Sequence, residues 1–265
     1  MFQRNTLKRN RIDLPARFLL LLFSVLTAYG ADVCATTPIE GSYGFQQSGR
    51  TTISGESKPV TSLGRITFSG DGAVSGYSTV MFAGFRLGNP VTGQSEIHVD
   101  CTVSWNLQDD SGAYQHFSGV ITPDRKSVRF RQTDAGGSVN GVMARTADRC
   151  ISKDLQKEFD FTLSGSFTPM LEGEIAGSID ANGMIQSDDS GNFTLVTQIP
   201  PSTSKDIKVS VEDDCIVNIE LALPAKTGKT TQLVTLRGIL VNDGKEILAI
   251  RTDPGWMASA RLTAR

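Results

Sequence analysis

Two stretches of this chain carry the same alternating pattern around a central cysteine. In the first, I-H-V-D-C-T-V-S-W-N-L from Ile97 to Leu107, apolar residues fall at 97, 99, 101, 103, 105 and 107. The second, V-E-D-D-C-I-V-N-I-E-L from Val211 to Leu221, places Cys215 where the first has Cys101. A period of two over such a length predicts one long strand with a buried and a solvated face. Two such strands constrain the fold more than any other feature, because their surroundings repeat as well.

Cys34 and Cys150 are 116 positions apart, and so are Tyr43-Gly-Phe45-Gln-Gln-Ser48-Gly49 and Phe159-Asp-Phe161-Thr-Leu-Ser164-Gly165. A hairpin at Phe68-Ser-Gly-Asp-Gly72-Ala-Val74 matches Ile179-Asp-Ala-Asn-Gly183-Met-Ile185 at an offset of 111. Gly119-Val-Ile121 matches Gly238-Ile-Leu240, and Thr133-Asp134 matches Thr252-Asp253, both at 119. The drifts are those of loops changing length between copies of one fold. Units of roughly 115 residues are whole domains rather than stacking modules. The expected organisation is residues 1–30 as a leader, 31–149 as copy one and 150–265 as copy two, with a polar boundary from Arg145 to Lys157.

Within copy one, strands are expected at 41–48, 63–69, 73–83, 94–107, 113–121, 127–133 and 139–145, with Gly88-Asn89-Pro90 among the intervening turns. Copy two gives a similar series, with Pro200-Pro201 opening a loop before a strand at 206–212. The only helical periodicity falls between Asp148 and Glu158. Many short strands in hairpin order predict an all-β chain of two tandem antiparallel β-barrels. Two β-sandwiches are the alternative. An immunoglobulin-type sandwich is disfavoured because Cys34 precedes the first strand and no Trp follows it at the required spacing.

The leader has the form of a secretory signal. Arg4, Lys8, Arg9, Arg11 and Arg17 precede an apolar run from Phe18 to Ala28, about half the length needed to span a bilayer. Cleavage is expected after Gly30 or Ala31, which keeps Cys34 and an even number of cysteines. Removing residues 1–30 takes away five basic residues and Asp13, moving the formal charge from −2 to −6. Such a chain lacks the positive footprint needed for nucleic acid or anionic lipid. The expectation is a secreted or periplasmic protein with no membrane span after processing.

In an oxidising compartment four cysteines without a C-x-x-C pair imply disulfides rather than a metal site. Because the cysteines occupy equivalent places in each copy, the expected bonds are Cys34–Cys101 and Cys150–Cys215. The acidic pairs Asp109-Asp110, Asp188-Asp189 and Asp213-Asp214 lack the ligand spacing of a calcium loop. No metal and no cofactor is expected.

The run G-S-Y-G-F at 41–45, T-F-S-G-D-G at 67–72, D-C-T at 100–102, G-V-I at 119–121 and T-D-x-G at 133–136 resembles bacterial secreted proteins of unknown function. Their barrels are similar to the calycin (lipocalin-like) and allene-oxide-cyclase-like folds. Gly41-x-Tyr43, Thr133-Asp134 and the late Arg145 also resemble the lipocalin pattern of an early G-x-W, a T-D pair and a closing Arg. The resemblance implies a lipocalin-like barrel and brings no defined activity.

Catalytic signals are sparse. His98 shares the polar face of its stretch with Asp100, but copy two carries Glu212 there, and Thr235 where copy one has His116. No G-x-S-x-G elbow is present. Thr133-Asp134 and Thr252-Asp253 suit turn closure by side-chain hydrogen bonds. Aromatic residues concentrate in copy one, so a cavity, if the barrel holds one, belongs there. The candidate ligand-binding residues are Tyr43, Phe82, Trp105, Arg129 and Arg131, with the two arginines on the face opposite Val128 and Phe130. The expected function is a non-enzymatic exported barrel protein binding a small apolar ligand or a protein partner. A cavity-based isomerase or cyclase, and a structural envelope or matrix component, are the alternatives.

Overall fold

A computed structural model describes residues 38–53, 56–188, 190–199, 201–224 and 231–265. The leader at 1–30 and Cys34 lie outside these described residues. Eight antiparallel strands of copy one follow one another around a closed barrel. They are β1 (Gly41–Ile53), β2 (Glu56–Phe68), β3 (Ala73–Phe82), β4 (Phe85–Ile97), β5 (Thr102–Asp109), β6 (Tyr114–Ile121), β7 (Ser127–Gln132) and β8 (Asn140–Arg145). Closure comes from β1 pairing with β8, Tyr43 opposite Arg145. The sandwich alternative is thereby excluded.

Copy two contributes β9 (Glu158–Phe167), β10 (Gly177–Ser187), β11 (Phe193–Ile199), β12 (Pro201–Ser204), β13 (Ile207–Val211), β14 (Ile216–Pro224), β15 (Thr231–Val241), β16 (Glu246–Arg251) and β17 (Trp256–Ala264). They form one nine-stranded sheet in which β9 pairs with β17, as β1 pairs with β8. Only the rung between β12 and β13 is missing. In copy one, β4 pairs with β3 along its first part and with β5 along its last. In copy two, β12 takes the first role and β13 the second, with Lys205 and Asp206 between them. The nine strands are therefore the same eight, with the fourth broken in two. Pro201 stands at the start of an edge strand, where a missing N–H disturbs no ladder.

Five sequence expectations need correction, the first being the loop expected from Pro200-Pro201, where Pro201–Ser204 is instead strand β12. The stretch from Ile97 to Leu107 is not one strand: β4 ends at Ile97, β5 begins at Thr102, and the residues between form a turn. Cys101 N–H donates to the His98 carbonyl at 3.1 Å, and Asp100 Oδ1 accepts from Thr102 N–H at 3.0 Å. The second copy repeats this turn, with Cys215 N–H on the Glu212 carbonyl and Ile216 N–H on Asp214 Oδ1. Both cysteines sit in the left-handed region, at φ 64° and 69°. A residue there is usually Gly or Asn, so cysteine hid the turn and the apolar alternation ran through it.

Gly88-Asn89-Pro90 is strand, inside β4, whose hairpin with β3 turns instead at Ala83-Gly84 with both φ positive, as a two-residue primed turn requires. Asp180-Ala-Asn182-Gly183 is likewise strand, inside β10, with a register shift at Asn182/Gly183. The correct equivalence is set by the ladder: Gln47 faces Ser62 in copy one, and Leu163 faces Ala181 in copy two. Finally, the helical periodicity at 148–158 yields a single 3-10 turn, Ser152–Asp154.

The two barrels pack side by side. Leu63, Met81 and Ala144 on the outside of the first meet Ile216, Ile239, Val241, Leu248, Ile250 and Met257 on the outside of the second. This contact explains why Ile247 to Ile250 of β16 are buried without a break: Ile247 and Ala249 face their own barrel's core while Leu248 and Ile250 face the neighbour. Gly44 allows the approach, because a Cβ there would lie 2.6 Å from Ile239 Cγ2. Polar links flank it. Gln46 Nε2 donates to the Ala260 carbonyl at 2.9 Å, Thr146 Oγ1 to that of Leu240 at 2.8 Å, and the Tyr77 hydroxyl to Asp214 at 3.2 Å. Burial, reinforced by the Asp214 charge, pushes the Tyr77 hydroxyl well above its usual pKa.

The Cys150–Cys215 disulfide is present. Cys101 is also disulfide-bonded; its expected partner, Cys34, lies outside the described residues. No helix among the described residues is long and apolar enough to cross a membrane.

Candidate functional site

The two ends of the first barrel differ in what fills them. At the end bearing the Cys101 turn, Tyr43, Phe68, Trp105, Phe117 and Phe130 form a continuous chain of edge-on and stacked rings, with centroids 5.1–6.4 Å apart. Such geometry suits the aromatic quadrupoles, and all five side chains are buried. Tyr43 is fully buried, its hydroxyl donating to the Arg125 carbonyl at 2.9 Å. The Arg145 guanidinium stands 5.6 Å from the Tyr43 ring centroid and donates to the Glu40 carbonyl. Burial raises the Tyr43 hydroxyl pKa, against the opposing charge of Arg145.

At the opposite end, where the β1–β2, β3–β4, β5–β6 and β7–β8 connections lie, the axis holds a cavity of about 50 Å³. Residues from β1 to β7, with Val139 just before β8, surround it, so it is axial rather than a surface crevice. Its apolar wall comprises Phe45, Val60, Val80, Val91, Leu107, Ala113 and Val139; its polar wall comprises Gln47, Thr51, Ser62, Ser78, Asn89, Asp109, Gln115 and Gln132. Among the described residues, no Lys, Arg or His lines it. Asp109 is largely spent on its own turn, taking Ser111 N–H at 2.9 Å, and on Asn89 at 3.3 Å. Space of this size holds about one or two waters, or one end group of a ligand.

The same end of the second barrel is plugged. By ladder position, Gln47 becomes Leu163, Ser62 becomes Ala181, Asp109 becomes Leu223 and Gln115 becomes Val234, all buried. Thr51 becomes Phe167, whose ring lies 5.3 Å from that of Trp256. Gln132 becomes Arg251, a fully buried guanidinium 4.0 Å above the Trp256 ring. Burial lowers the Arg251 pKa, and the Asp253 carboxylate 2.6 Å from its Nε opposes that.

The Thr-Asp pairs close equivalent turns. Asp134 accepts His116 N–H at 2.8 Å and Gln132 Nε2 at 2.9 Å; Asp253 accepts Thr235 N–H at 3.1 Å and Arg251 Nε. In each copy the aspartate thus steadies an inward side chain two residues before it. Burial alone would raise Asp134, but the bonds from His116 and Gln132 outweigh it and hold its carboxyl below the ordinary value.

The sequence-derived ligand candidates do not converge. Tyr43 and Trp105 belong to the filled end, Phe82 is half-buried at the end of β3, and Arg129 and Arg131 point outward into solvent. The histidines lie outside the barrel. His98 Nε2 is 3.1 Å from Ser104 Oγ, while Asp100 is engaged by Thr102 rather than by His98. His116 Nδ1 is 2.7 Å from Asp134. Sequence reasoning missed Gln47, Ser62 and their neighbours. The signal was available in the repeat: inward positions that are polar in copy one and apolar in copy two. The displaced alignment of the 68–74 hairpin concealed it.

No family model and no curated protein matches this chain.

Proposed function

We propose that the chain is an exported, non-enzymatic binding protein of two calycin-type barrels, and that the first barrel takes a small ligand at its loop-bearing end. One observation carries the reading: a cavity of about 50 Å³ on the axis of the first barrel, lined by Gln47, Ser62, Asp109 and Gln115 where the second barrel places the buried apolar residues Leu163, Ala181, Leu223 and Val234. Protein interiors are close-packed as a rule, and an axial cavity departs from it. The calycin assignment rests on the resemblance, on the up-and-down closure and on the stacking of Arg145 against Tyr43, the pair the resemblance singled out. Export rests on the form of the leader and is supported by the disulfide.

The mixed lining modifies the expectation of an apolar ligand. It suits a molecule that presents a polar end group inward and keeps its remainder at the rim, where Ala113 and Gln115 are exposed. Native mass spectrometry of the protein exported by its own host, without denaturation, tests the reading. A reproducible additional mass, removed by solvent extraction, is the expected result. A bare mature chain would count against it.

A further inference from the structure

Gln47 Oε1 and Ser62 Oγ are buried, their residues only 8% and 1% exposed, and among the described residues neither has a hydrogen-bond partner. They face each other across the β1–β2 ladder, and both line the cavity. A buried polar atom left without a partner forfeits its hydration and gains nothing in exchange. The fold does not require this cost, because the second barrel builds the same rung from Leu163 and Ala181, both buried. Exchanging both members of a polar pair for apolar residues of similar shape can be nearly neutral or stabilising. The first barrel therefore retains two unmet polar groups where its own repeat has an apolar solution.

We propose that Gln47 and Ser62 are a recognition pair for an uncharged, hydrogen-bonding end group, a primary amide or a hydroxyl. This rests on the binding reading above and adds the ligand's chemical class. The charge of the wall decides the class. An anion would meet the Asp109 carboxylate with no cation beside it among the described residues. A buried cation would need a carboxylate to itself, and that of Asp109 is already engaged by Asn89, Ser111 and Ala113. A neutral group with one donor and one acceptor pays neither penalty: its N–H or O–H meets Gln47 Oε1, and its oxygen accepts from the Ser62 hydroxyl. Phe45 and Leu107 take the apolar part of the same small group.

The test compares three probes by protein-observed NMR on the wild type and on the double variant Gln47→Leu/Ser62→Ala, which installs the second barrel's residues. Acetamide and acetate have nearly the same shape and differ in charge; xenon reports an apolar void. Acetamide should shift the amide resonances of residues 47, 62 and 78 at concentrations at least tenfold below those needed with acetate. The double variant should lose acetamide binding by tenfold or more and gain xenon binding, with a melting temperature equal to or above that of the wild type. Acetate binding as well as acetamide, or acetamide binding unchanged in the variant, would overturn the assignment of ligand class and leave the binding reading standing. A variant that melts several degrees lower would overturn it too, by making the pair structural. No response to any probe would mean that the cavity holds water alone, which overturns both.

Discussion

Leu248 and Ile250 decide whether the two barrels are independent beads or one packed body. On an isolated barrel both would point outward into water, and truncating either would change stability by no more than about 0.5 kcal/mol. Here each is fully buried against the neighbouring barrel. Returning a buried leucine's methyl groups to alanine forfeits about 2 kcal/mol of transfer free energy. The unfilled space adds to that, for a total of about 3 kcal/mol within the usual 2–5 kcal/mol range. Leu248→Ala is therefore expected to destabilise by about 3 kcal/mol, and Leu63→Ala, from the opposing wall, by a similar amount. Because both line one interface, their effects should fall short of additivity by about 1 kcal/mol. Urea unfolding followed by fluorescence reads this directly, since Trp105 reports the first barrel and Trp256 the second. A loss below about 0.5 kcal/mol, or coupling near zero, would refute the packed interface.

Other consequences can be checked separately. Gly44→Val drives a side chain into Ile239 and Val241, so it should separate the barrels and enlarge the particle in small-angle scattering, while an unchanged envelope would contradict the contact geometry. Replacing Cys150 and Cys215 by Ser opens a closure spanning 65 positions and should cost about 4 kcal/mol by the chain-entropy relation, read from the shift of the urea midpoint. Asp134 has a folded pKa below its unfolded value, so the stability it contributes is complete above about pH 4 and is lost as pH falls through the folded value. The melting-temperature gap between wild type and Asp134→Asn should therefore be full near pH 6 and shrink below pH 4; a gap that widens in acid would reverse the assignment.

Much of this architecture is legible in the sequence, and the failures share a physical origin. The duplication can be read because cysteines and turn aspartates recur at fixed offsets, and a meander of strands follows from hydrophobic alternation. The turn at Cys101 cannot be read that way, because the left-handed position that glycine normally announces is held by cysteine, at φ 64°. The interface was written in Ile247 to Ile250, a continuous apolar run marking a strand covered on both faces. What the run does not say is which surface covers it. The cavity is harder still, since polar inward residues such as Gln47 and Gln132 read as solvated until the ladder sets their direction. Comparing copies reveals them only once the register is known, because the hairpin at 68–74 aligns with the wrong segment by motif alone.

An experimental structure of the exported protein, purified without denaturation or solvent extraction, tests the central claim most directly. The account predicts non-protein density on the axis of the first barrel, within hydrogen-bond distance of Gln47 Oε1 and Ser62 Oγ. It predicts none at Leu163 and Ala181 in the second. Ordered water alone in the first cavity, or a ligand bound elsewhere while Gln47 and Ser62 remain unpartnered, would contradict it.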